Sequence, residues 1–148
     1  MKPELEKILM KVQKPGRYTG GEWNSVVKDK HAVDVRVAFC FPDTYEVGMS
    51  HLGMKILYGL LNEREYIWCE RVFAPWVDME EQMRARDIPL YALESLDPIK
   101  NFDFIGFTLQ YEMSFTNILN MLDLAGIPMY AKDRDMDFPL LVCGGPCA

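Results

Sequence analysis

From His31 onward, short apolar runs alternate with segments whose apolar residues recur every three or four positions. That alternation predicts strands interleaved with helices. Val33 to Phe39 reads as a first strand, Tyr66 to Phe73 as a second, Phe104 to Leu109 as a third and Pro139 to Cys143 as a fourth, buried like the others. Between the first two, Ser50 to Asn62 predicts a helix with Leu52, Ile56, Leu57, Leu60 and Leu61 on one side and Ser50 as its N-cap. Trp76 to Arg86 and Asn117 to Ala125 predict two further helices, the last ended by Gly126 with Pro128 beyond. Leu90 to Leu93 reads as a short extended piece.

Strand–helix–strand units cross over right-handedly, so the strands are expected to be parallel with helices on both faces. The fold class is therefore α/β: a flavodoxin-like (Rossmann-like) wound parallel sheet. The count stops one strand and about two helices short of the usual wound sheet. The sheet is expected to be truncated after its fourth main strand, and the chain to be a fragment of a longer protein. Ahead of the sheet, Pro3 to Gln13 carries Leu5, Ile8, Leu9 and Val12 at helical spacing, and Lys14 to Lys30 has turn residues without a period. Residues 1–31 thus read as a helix and an irregular arm, and residues 32–148 as the α/β domain, incomplete at its carboxyl end.

Composition narrows the function classes. A chain of 148 residues with 49% hydrophobic and 26% charged positions is that of one globular domain. Its net charge of -6 argues against an independent nucleic-acid module, which needs clustered Lys and Arg. No apolar run reaches the roughly 18 residues of a membrane helix, so a cytoplasmic protein is expected. Cys40, Cys69, Cys143 and Cys147 suit free thiols in a reducing compartment better than a disulfide framework. His31, ahead of the first strand, reads as solvated, and His51 as a helix-start histidine bonded locally.

Open α/β sheets bind ligands at the carboxyl ends of their strands. Three loops fall there. After the first strand come Asp43, Thr44, Tyr45, Glu46 and Gly48, with acceptors at the mouth and a glycine through which a ligand could approach the backbone. After the third come Thr108 and Gln110, and after the fourth Gly144 and Gly145. Taken singly, each is equally a turn or a strand end, with Asp43 bonding nearby backbone and Thr108 serving as a β-branched strand residue. Their order and separations coincide.

The first loop, Asp-x-Tyr-x-x-Gly, resembles the Asp-x-His-x-x-Gly loop of cobalamin-binding domains, with Tyr45 where that family places the histidine that ligates cobalt. Thr108 fits the hydroxyl of that family's third loop, whereas Gln110 stands in place of a leucine; Gly144-Gly145 matches its paired glycines. Further stretches, Arg17 to Glu22, Phe41 to Glu46, Glu70 to Trp76, Leu109 to Glu112 and Cys143 to Cys147, resemble the amino-terminal region of cobalamin-binding-domain radical SAM proteins. The resemblance implies cobalamin held by Asp43, Thr44, Tyr45, Glu46, Gly48, Thr108, Gln110, Gly144 and Gly145. It would lack a histidine lower ligand, because a phenol with a pKa near 10 is a poor cobalt donor at neutral pH. It further implies a downstream radical SAM domain as the partner, where a 4Fe-4S cluster and S-adenosylmethionine would do the chemistry on an unknown substrate. No catalytic residue and no metal ligand is expected in these residues: Cys143 and Cys147 have only the first spacing of a Cys-x-x-x-Cys-x-x-Cys motif. The alternative is a non-catalytic scaffold or interaction module that has lost cobalamin. A flavin mononucleotide binder ranks last, for want of a Ser/Thr-rich loop after the first strand.

Overall fold

The computed structural model describes residues 3–148. Four strands, β1 (Val35–Phe41), β2 (Ile67–Phe73), β3 (Phe104–Thr108) and β4 (Leu140–Gly144), form one sheet in the order β2-β1-β3-β4. Every neighbouring pair is parallel. The helices are α1 (Pro3–Leu9), α2 (Tyr45–Ser50), α3 (Leu52–Asn62), α4 (Val77–Ala85) and α5 (Ser114–Ala125). This is the flavodoxin-like wound sheet that the alternating pattern predicts, and its topological switch point lies between β1 and β3.

Side-chain alternation divides the sheet into two faces. Ala38, Cys40, Val72, Ile105 and Phe107 join α1, α4 and α5 in the larger core, with Ile8, Met79, Met83 and Met121 fully buried. Phe39, Phe41, Cys69 and Phe73 face the other way, onto Met54 and Tyr58 of α3. Leu90 to Leu93 is extended as expected: the Leu93 N–H donates to the Arg71 carbonyl at 2.9 Å, which covers the outer edge of β2.

Four expectations need correction. The loop Asp43 to Gly48 is not open, because α2 starts within it at Tyr45. Ser50 is not an N-cap: it ends α2, with its hydroxyl on the Val47 carbonyl, and His51 caps α3 by accepting the Met54 N–H at 3.1 Å on Nδ1. The local bonding expected of His51 is therefore this cap. Third, of the leucines of α3 only Leu61 packs on the core. Asn62 bonds both the N–H and the carbonyl of Cys69, and Tyr58 accepts the Val26 N–H. These bonds turn Met54 and Tyr58 inward and leave Leu52, Ile56, Leu57 and Leu60 each about half exposed or more. Fourth, β4 is not a buried strand: Leu140 is 59% and Val142 50% exposed, because α3 covers only the β1 and β2 part of that face and, among the described residues, no helix lies over β4 there. Smaller differences are a shorter α1 and a longer α5, which begins at Ser114. Among the described residues, no helix is long and apolar enough to cross a membrane.

Candidate functional site

The carboxyl end of the sheet collects the loops after β1, β3 and β4, and each is tied to protein rather than left open. At the switch point, the Tyr111 hydroxyl donates to Asp43 Oδ2 at 2.8 Å, and the Asn117 amide donates to the Pro42 carbonyl at 2.9 Å. These two bonds span the gap between β1 and β3. Asp43 also accepts the Thr44 N–H, and its carbonyl takes the Ala74 N–H, so the aspartate is a turn residue joining three strand ends. Donation to Asp43 raises the Tyr111 phenol above its ordinary value, with a smaller contribution from burial.

Tyr45 points at the arm. Its hydroxyl donates to Glu22 Oε1 at 3.0 Å, and its ring stands edge-on to Phe73 with centroids 5.4 Å apart. Burial, then the Glu22 bond, pushes its phenol up. Glu46, one residue on, accepts from Arg17 Nε at 2.9 Å and Lys14 Nζ at 3.2 Å. Thr44 is the N-cap residue of α2 by position, with no side-chain bond. Gly48 is buried inside α2, and a Cβ there would collide with the Phe73 ring and sit 3.2 Å from Phe41 Cβ. The glycine admits the protein's own aromatic ring and leaves no approach for a ligand.

The remaining two loops are braced on each other. Leu109 N–H donates to the Gly144 carbonyl at 2.7 Å, and Cys147 N–H donates to the Leu109 carbonyl at 3.2 Å. Gly145, at φ 131°, presses its α-carbon against Leu109, where an added Cβ would meet the carbonyl oxygen at 2.5 Å. At Gly144 nothing lies within 4 Å of that position. The Gln110 amide donates to the Thr108 hydroxyl. The sheet thus brings all nine sequence-predicted positions to one end, but in two groups: Tyr45, Glu46 and Gly48 pack towards the arm and β2, and Asp43, Thr44, Thr108, Gln110, Gly144 and Gly145 gather over β1, β3 and β4.

Arg71, with Glu94 and Glu22, is the part that sequence reading missed. Arg71 Nε donates to Glu94 Oε1 at 2.7 Å, its N–H donates to Glu94 Oε2 at 2.8 Å, and Nη2 donates to Glu22 Oε2 at 2.9 Å. The guanidinium lies 4.7 Å from the Tyr58 ring centroid. Burial raises the Glu94 carboxyl against the pull of Arg71, whereas Arg71 is raised because its acidic partners outweigh its burial. The bonds at 2.7 and 2.8 Å fit the ionised pair. A charged Glu70-Arg71 in the middle of an otherwise apolar strand was the available signal. Glu70 is fully buried too, bonded to Arg36 at 2.6 Å and to the Ser95 N–H at 2.8 Å.

The arm is thus latched by Glu22 on Tyr45 and Arg71, and by Arg17 and Lys14 on Glu46. Arg17 above all holds the Glu46 carboxyl down at about 2, from an ordinary 4.5. A carboxylate depressed by folding contributes stability that is present above its unfolded pKa and lost as pH falls towards the folded one. Protection factors of the Gly16, Arg17 and Tyr18 amides are therefore expected to fall between about pH 4.5 and pH 2, and to fall further in high salt, since the pair is exposed. Protection unchanged across that window would remove Glu46 from the latch.

These loops do not fit a cobalamin tail as they stand. Tyr45 is committed to Glu22, Phe73 fills the space at Gly48, Leu109 fills the space at Gly145, and the Tyr111–Asp43 bond crosses the switch point. Nor do the cysteines fit a cluster: Cys40 and Cys69 are buried on opposite faces of the sheet with thiols raised by desolvation, and Cys143, in β4 on the Cys40 face, is separated from Cys40 by Phe107 of β3. Among the described residues, no group of three or more His, Cys, Asp or Glu is placed to hold a metal ion.

The comparisons with known proteins agree with the coarser reading. An uncharacterized protein of Methanocaldococcus jannaschii is 29% identical over 113 residues, which cover 75% of this chain and 19% of that protein. The chain therefore spans about a fifth of the length of the curated relative it matches. No solved structure matches. The family described as radical SAM proteins, N-terminal, matches residues 53–148, from α3 to the end of the β4 loop, and leaves the Asp43 to Gly48 segment outside the match. By that match, which takes in β2, β3 and β4 and covers more than half of the chain, this chain belongs to the family of radical SAM proteins as an N-terminal domain.

Proposed function

We propose that this domain is a scaffold at the amino-terminal side of a radical SAM protein, which positions the downstream domain where the 4Fe-4S cluster and S-adenosylmethionine react. One observation carries the reading: the Tyr111–Asp43 hydrogen bond spans the switch point at which a wound sheet would otherwise open to a cofactor. The arm latch on Tyr45 and Arg71 closes the neighbouring space. Energy that a binding domain would invest in a cofactor is here spent on joining its own loops. Catalysis belongs to the rest of the protein, and fold likeness alone names no reaction.

A second reading keeps cobalamin, without a histidine ligand, in the same end of the sheet. Gly144 favours it, since the space beside its α-carbon is free. Binding would require the Tyr111–Asp43 bond to open, and the tail would then lie along Thr108, Gln110 and Gly144. Purified full-length protein incubated with hydroxocobalamin and desalted separates the two readings. The scaffold predicts no retained corrin absorbance, and stoichiometric retention would overturn it in favour of the second.

A further inference from the structure

One face of this sheet is only half covered. On the α4 and α5 side, helices lie over β1, β2 and β3. The other side carries α3 as its long helix, packed on Phe39, Cys69 and Phe73 of β1 and β2. A helix is about 10 Å across and strands are about 4.8 Å apart, so one helix spans about two strands. The other two strands lie bare: Phe104, Leu140 and Val142 are 37%, 59% and 50% exposed, and Gly106 lies between them in register.

The helix beside this strip presents a matching wall. Asn62 fastens one flank of α3 to the outer edge of β2. The helical period then turns the opposite flank, with Gly53, Leu57 and Leu60, across the sheet towards β3 and β4. Leu57 and Leu60 are about half exposed. A floor of Phe104, Leu140 and Val142 beside a wall of Leu57 and Leu60 makes a groove one helix wide.

The sheet's two edges are treated differently as well. The outer edge of β2 is covered by Leu93 and by the Glu94 carboxylate on the Arg71 N–H. On β4, Leu140 and Gly144 turn their backbone groups to β3, which leaves those of Leu141 and Cys143 on the free edge by the alternation of a parallel ladder. A free, apolar edge strand is a hazard that folded proteins cover.

We propose that the groove and the free edge of β4 are the seat of a fifth parallel strand and the helix that follows it, both supplied by the downstream part of the same polypeptide. Right-handed crossovers lead to that arrangement. The connection from β3 to β4 runs through α5, so a connection onward in the same direction lies on the α5 face, and the helix after the new strand falls on the α3 face. The length of the relative, about five times the aligned segment, provides the chain for it. A second copy of this domain would instead pair edge to edge, in a concentration-dependent way. The inference rests on the scaffold reading and names the segment that the scaffold holds.

Hydrogen exchange on the full-length protein tests it. The Leu141 and Cys143 amides are expected to exchange at least about 100-fold more slowly than unstructured amides, to the same extent at low and high protein concentration. Exchange near the unstructured rate would overturn the proposal. Protection that disappears on dilution would also overturn it and identify a second copy as the occupant. Leu60→Asp, in the groove wall, is expected to speed exchange at those two amides in the full-length protein, with β1 amides unchanged; no change at either would likewise overturn it. Retained hydroxocobalamin would defeat the scaffold reading without touching this result, so the two failures are distinguishable.

Discussion

Arg71→Met is expected to lower the free energy of unfolding by about 3–5 kcal/mol, the range for removing one partner of a buried ion pair. The charge left behind is Glu94, whose side chain is 1% exposed and which keeps the Arg71 backbone N–H and the neighbouring Tyr58 hydroxyl but no cation as partner. Glu22, at 14%, can turn to water, so the loss concentrates on Glu94. Urea denaturation of Arg71→Met, Glu94→Leu and the double variant measures it. The double variant should recover much of the loss, because an apolar pair of similar volume does not strand a buried charge. A single-variant loss under about 1 kcal/mol would mean that the network is far wetter than its geometry indicates. The arm should loosen in the same variant, since Glu22 holds it through Arg71 and Tyr45.

Gly145→Ala is expected to cost about 3 kcal/mol, and Gly144→Ala less than about 0.5 kcal/mol. The two glycines are adjacent and look equivalent as a pair at a strand end. At Gly145, φ is 131° and an added Cβ meets Leu109 backbone atoms at 2.5 to 3.0 Å, which no rotamer change can relieve. At Gly144, φ is ordinary and the space is open. Thermal melts of both variants decide the matter: equal, small effects would mean that the loops after β3 and β4 are not braced together. Gly144→Ala has a second use, since a small residue kept there for a cofactor would betray itself in binding and not in stability.

The wound parallel sheet was legible because its evidence is local. Apolar runs such as Val35–Phe41 and Phe104–Thr108, separated by helical periods, allow few topologies once crossovers must be right-handed. Gly126, at φ 67°, ends α5 where the sequence indicated a C-cap. What misled was α3, whose leucines have the right period for a core face. Period locates a stripe along a helix but not the neighbour it meets, and Asn62 and Tyr58 decide the rotation through bonds to Cys69 on the next strand and to Val26, 32 residues from Tyr58.

The candidate site shows the same division. Motif spacing brought Asp43, Thr108 and Gly144 to one end of the sheet, because strand order alone determines which loops meet. It could not say whether the loops meet a ligand or each other. Tyr111 directly follows Gln110, but nothing local aims its hydroxyl at Asp43, 68 residues away. Glu22 lies in a segment without periodicity, 23 residues from Tyr45 and 49 from Arg71.

By itself, then, the sequence determined an α/β wound sheet, its strand segments, the loops that meet at one end of it and a net charge of -6. Those follow from periodicity, turn chemistry and charge, which act over a few residues. Only the tertiary structure decided that Tyr45 anchors an arm, that Gly48 makes room for Phe73, and that an apolar groove beside β4 stands open. Each depends on contacts between distant segments, and burial rewards a side chain for the neighbour it finds in space, whatever its place in the chain.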